Sequence, residues 1–141
     1  MAIVGININE TRDYILKSDP DKDNPTVFKI GVLDPLLKAK ILDEASAFEV
    51  SSQNPEDEAK VSYKLNKRNY DLVRFGVKGI ENLIDPQTQK PVKVNFDTVN
   101  IGHKPYLVLP AKIMGMISPW IAELAEEVLK EAVLSESERK N

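Results

Sequence analysis

The chain opens on a short apolar run, Ile3, Val4, Ile6 and Ile8, and then turns polar. Lys17 to Pro25 holds two prolines among acidic and amide side chains, a composition that favours turns over a packed element. From Thr26 to Leu33 the pattern alternates, with Val27 and Lys29 on one face and Phe28, Ile30 and Val32 on the other, which predicts a half-buried strand. Asp34-Pro35 reads as a helix cap followed by proline at the first helical position. The stripe Leu37, Ile41, Ala45 and Phe48 then predicts a helix to about Phe48, with Lys40 and Asp43 outward.

Asn54-Pro55-Glu56-Asp57 repeats that start signal, with acids where the helix dipole favours them. Val61, Leu65, Leu72 and Phe75 share a face of the long helix expected to follow, flanked by Ala59, Tyr63, Tyr70 and Val73. Gly76 and Gly79 are its expected end. Asp85 to Lys90 reads as a turn, and Val92, Val94 and Phe96 alternate as an edge strand after Pro91. Asp97 to Pro105 looks irregular, and Tyr106 to Ile117 is compatible with strand or helix. Ser118-Pro119 is a second cap-and-proline break, before a last helix whose stripe is Ile121, Leu124, Ala125, Val128 and Ala132.

These elements predict an α+β fold: a small antiparallel sheet from residues 26–33 and an 82–96 hairpin, packed against two or three helices. Residues 1–25 are expected to be an extended arm, 26–134 one domain, and 135–141 a charged C-terminal tail. A chain of 141 residues has room for one real core. With no cysteine, disulfides and thiolate metal sites are excluded. No apolar run approaches the roughly 20 residues of a membrane span, and the first nine residues lack the basic lead and small-residue cleavage site of a signal peptide. Synthesis in the cytoplasm is the expectation.

A net charge of −3 argues against direct nucleic-acid binding. The charge is nevertheless segregated. Lys60, Lys64, Lys67, Arg68, Arg74 and Lys78 face only Asp71 within residues 60–78, whereas Glu123, Glu126, Glu127, Glu131, Glu136 and Glu138 face only Lys130 within 123–138. At steps of three or four, Lys60, Lys64, Lys67, Asp71, Arg74 and Lys78 form one stripe, basic at every position but Asp71. It is either a solvated helix face or a docking face for an acidic partner surface, such as the Glu123, Glu127 and Glu131 ridge of a neighbouring copy. Trp120, beside Pro119, is either core or the anchor of an interface.

Catalytic chemistry finds little purchase. There is no Gly-x-Ser-x-Gly elbow and no phosphate-binding glycine loop, and Gly76-Val77-Lys78-Gly79 follows a helix instead of opening one. His103 is the single histidine, set in a loop between Gly102 and Lys104 with no acidic cluster nearby. No catalytic, cofactor-binding or metal-binding residues are expected. A small-molecule-binding domain or enzyme would require a polar pocket around His103.

Three stretches carry a likeness: Tyr14 with Lys17 to Asp19 and Asn24 to Phe28; Val73-Arg74-Phe75-Gly76-Val77-Lys78-Gly79-Ile80-Glu81-Asn82; and Ile121-Ala122-Glu123-Leu124-Ala125-Glu126-Glu127-Val128. With the Pro91 to Val94 segment between them and the Leu134 to Asn141 ending, this order resembles small tailed-bacteriophage virion structural proteins, some described as tail assembly chaperones. The resemblance implies a non-enzymatic protein without cofactors, made in the host cytoplasm and located in the virion. It would contact other phage structural proteins and further copies of itself, with no nucleic acid or membrane as direct partner. The alternative it implies is a transient tail assembly chaperone.

Overall fold

A computed structural model describes residues 2–5, 7–51 and 55–140, with the side chains of all of these except 45–64 and 131–140. The alternating segment after Thr26 is strand β2, Val27–Gly31, and the face holding Phe28 and Ile30 is fully buried as its pattern predicts. It is the middle strand of a three-stranded antiparallel sheet. On one side lies β1, Thr11–Tyr14, in the register Arg12↔Ile30 and Tyr14↔Phe28. On the other lies β3, Val77–Glu81, with a register shift between Lys29 and Ile30.

The first two helices arise at the two Pro-led starts: α1 is Pro35–Ser51 and α2 is Pro55–Gly76. Asp34 caps α1, its carboxylate accepting the Leu37 amide at 3.4 Å. The side chains of Ala45, Phe48, Ala59, Val61 and Tyr63 lie outside the described residues. A hairpin follows, β4 Asp97–Ile101 with β5 Lys104–Val108, then helix α3 Ala111–Met116 and a 3-10 turn, Ser118–Trp120. Pro119 lies within that turn, Ile117 joins it to α3, and α4 runs Ile121–Lys140. It thus continues through most of the span read as a tail. The fold is α+β, with α4 packed on α2 and on β2, so the core gathers Phe28, Ile30, Leu72, Val73, Leu124 and Val128 between sheet and helices.

At the crossing of α2 and α4 the backbones come very close. A Cβ on Gly76 would lie 2.6 Å from a Val128 methyl, so glycine is required there. Gly76 does end α2, but Gly79 lies within β3. The last carbonyls of α2 find donors outside the helix: Leu109 N–H reaches Arg74 at 3.1 Å and the Lys78 ammonium reaches Phe75 at 2.7 Å.

The sheet itself differs from expectation. The 82–96 segment contributes only an isolated bridge, Ile84 to Pro91, around a turn in which the Asp85 carboxylate accepts the Gln87 amide. Pro91 has no N–H to donate, and Val92, Val94 and Phe96 pack their side chains against the core without pairing in a strand. The third strand comes instead from residues read as an arm, and Leu16 just beyond it is buried in the core. The stretch read as irregular forms the β4–β5 hairpin. Its two-residue turn, Gly102-His103, has φ of +56° and +68°, the positive values a type I′ turn requires.

Candidate functional site

Strand β1 and helix α4 meet through two matched pairs of side chains. Arg12 and Tyr14 are two residues apart on a strand and share one face; Glu123 and Glu127 are four apart on a helix and share one face. Both spacings are roughly 6 to 7 Å, so the pairs fit each other. The Arg12 guanidinium meets the Glu127 carboxylate at 3.0 Å, and the Tyr14 hydroxyl donates to Glu123, which also accepts the Lys17 amide at 3.1 Å. Lys130 adds a second cation to Glu127 at 3.1 Å.

Burial pushes the Glu127 carboxyl up, but the hydrogen bonds and charges of Lys130 and Arg12 outweigh it and hold the group below the ordinary glutamate value. Burial, reinforced by the Glu123 carboxylate, raises the Tyr14 phenol above the ordinary tyrosine value. Glu127 is 7% exposed. Two of the three glutamates expected to face a neighbouring copy are therefore engaged within their own chain. The Glu131 side chain lies outside the described residues, as do those of Lys60 and Lys64.

The described part of the basic stripe does not stay together. Lys67 pairs with Asp71 at 2.9 Å and approaches Glu44 at 3.9 Å. Arg74 sits over the Phe75 ring at 5.3 Å, with its Nε buried and without a hydrogen-bond partner among the described residues. Lys67 and Arg74 line a cleft of about 180 Å³ between α1, α2 and β4. Lys78 leaves this group because α2 ends at Gly76, which places Lys78 on β3. It lines a different and larger cleft of about 520 Å³.

That larger cleft is bounded by the start of α1, the α2–β3 junction and β5. Its walls are chiefly apolar, with Leu33, Leu37, Phe75 and Leu107 among them, and its polar groups are few. Asp34 accepts the Tyr106 hydroxyl at 2.8 Å and lies 3.8 Å from the Lys104 ammonium. Hydrogen bonding to Asp34 raises the Tyr106 phenol above its ordinary value. Tyr106 in turn packs edge-on against Phe75 at 5.9 Å.

Trp120 is partly buried, resting against the core with its remaining face on a third cleft of about 210 Å³, beside Leu16, Phe28 and Ile84. His103 is exposed at the tip of the β4–β5 hairpin and lines none of these three clefts. Among the described residues, no group of three or more His, Cys, Asp or Glu is placed to hold a metal ion, and no helix is long and apolar enough to cross a membrane.

Arg12, Tyr14, Asp34, Tyr106 and Leu107 carry no site expectation from the sequence, which marks Asp34 only as a helix cap and Tyr14 only within the likeness. The signal for the first two is the match between an i, i+2 pair, Arg12 and Tyr14, and an i, i+4 pair of glutamates. Compared with known proteins, the chain matches no family model, no curated protein and no solved structure.

Proposed function

We propose that this chain is a non-enzymatic protein–protein interaction module of a bacteriophage particle, present in several copies and contacting other phage structural proteins. The observation that carries the interaction role is the uncovered apolar segment ahead of β1. Ile3, Val4 and Ile8 are 85%, 88% and 72% exposed, directly upstream of a strand that is clamped to the body of the fold. Apolar side chains clustered in this way, on a segment with a fixed base, suit burial against a partner. The phage setting draws its support from the sequence likeness in residues 14–28, 73–82 and 121–128. A role built on His103 draws none, since that residue stands in a hairpin turn away from the clefts.

A mass-spectrometric peptide census of purified particles tests this reading. The expected result is that peptides of the chain are found in finished particles, and that removing residues 2–9 abolishes incorporation while the isolated protein still folds. Presence in assembly intermediates but not in finished particles would replace the reading with a transient tail assembly chaperone. Absence from both would overturn it.

A further inference from the structure

The 520 Å³ cleft falls in the range of volumes that hold a ligand or an inserted side chain, and its polar groups are unequally provided for. Asp34 is already used by the Leu37 amide, Tyr106 and Lys104. Lys78 is not matched in this way. Its ammonium has three hydrogens, one directed to the Phe75 carbonyl, and no carboxylate lies within ion-pair distance of it among the described residues. Desolvation lowers its pKa from the ordinary lysine value, although the residue as a whole is exposed.

The position of Lys78 is built into the sheet. A Cβ on Gly31 would fall 2.5 Å from the Lys78 Cγ and 2.9 Å from its Cε, so the glycine in β2 makes room for the lysine stem. The Lys78 ammonium borders these apolar walls and, with one hydrogen on the Phe75 carbonyl, keeps two more for an anion. The apolar lining is uncovered as well: Ile8 and Leu107 both border the cleft, and Leu107 is 63% exposed.

We infer that this cleft receives an apolar chain segment of a partner protein carrying one carboxylate, which meets Lys78 while its apolar side chains cover Leu107 and Phe75. The inference rests on the reading of the chain as a protein-binding module but not on the particle that contains it. The particle census can fail while the cleft still binds, and the cleft can fail while the protein is still found in particles.

The test uses the full chain and two blocked tetrapeptides, one of leucine, valine, glutamate and leucine, the other with glutamine in place of glutamate. Backbone amide NMR shifts report where each binds. The glutamate peptide is expected to shift Lys78, Tyr106 and Leu107 and to bind about tenfold tighter or more than the glutamine peptide. Lys78→Met should erase that preference. Leu107→Glu, at an exposed site that leaves the fold intact, should weaken the glutamate peptide more than the glutamine peptide. Equal affinities, or shifts elsewhere on the surface, would overturn the inference. So would binding of dodecanoate at the cleft without the peptide, which would make it a site for a small amphiphile. Cleft resonances that depend on protein concentration alone would assign the cleft to a second copy of the chain and overturn it as well.

Discussion

The Arg12 guanidinium and the Glu127 carboxylate, 115 positions apart in the chain, lie 3.0 Å from each other and fasten the first strand to the last helix. Glu127→Gln is expected to lower stability by about 1–3 kcal/mol near neutral pH, the usual range for a charge-assisted hydrogen bond in a partly buried site. The fold holds this carboxyl below its ordinary pKa, so its contribution is complete above the ordinary glutamate value and is lost as pH falls below it. Urea titrations of both proteins should therefore converge below about pH 4. A difference that persists undiminished in acid would show that the pair is held by packing alone.

Tyr14 predicts the opposite end of the pH scale. Its folded phenol keeps its proton more tightly than the unfolded one, so the stabilisation is complete below the ordinary tyrosine value and declines as pH rises above roughly 10. Tyr14→Phe should be less stable than the parent at neutral pH and should show a shallower alkaline decline. Chemical denaturation at pH 8, 10 and 11 reads both effects.

Truncation separates two parts of what composition alone suggests is one arm. Removing residues 2–9 should leave the thermal midpoint nearly unchanged, because the side chains of Ile3, Val4 and Ile8 are largely in solvent. Leu16→Ala should cost about 2–5 kcal/mol, because that side chain is buried in the core cluster. A Leu16 variant as stable as the parent would show that the strand and its neighbour are dispensable.

Gly76→Ala is expected to destabilise by about 1–3 kcal/mol through overpacking against Val128. The double variant Gly76→Ala with Val128→Ala should recover part of that loss, since it removes the methyls that the new Cβ meets. A thermal-melt cycle over the four proteins measures the coupling.

His103 has φ of +68°, which glycine adopts without strain. His103→Gly should leave stability unchanged or raise it by up to about 1 kcal/mol, and His103→Val should lower it by about 1 kcal/mol. Neither change should affect assembly into particles. A loss of assembly in the well-folded glycine variant would give this side chain a role beyond its turn.

The parts of the fold legible in the sequence were those with a strong local signal. The Phe28 and Ile30 alternation marked β2, and the two Pro-led starts marked α1 and α2. What escaped was decided by distant partners. Thr11–Tyr14 has little intrinsic claim to be a strand; it becomes one because β2 offers an edge and Glu123 and Glu127 lie where its side chains arrive. The Gly102-His103 turn lacks the asparagine–glycine pair that announces such hairpins. Helical spacing puts the basic stripe on one face, but α2 stops two residues before Lys78, and that single boundary divides the charges between two clefts.

The clasp between β1 and α4 also sets an order of events during synthesis. Translation adds Arg12 and Tyr14 long before the glutamates that hold them, so at first the strand can rely only on its pairing with β2. Its electrostatic fastening arrives with the last helix. Until then the amino-terminal strand lacks the contacts of Arg12 and Tyr14 with Glu127 and Glu123. A partner that engages those residues on the ribosome meets a segment whose final position is not yet fixed.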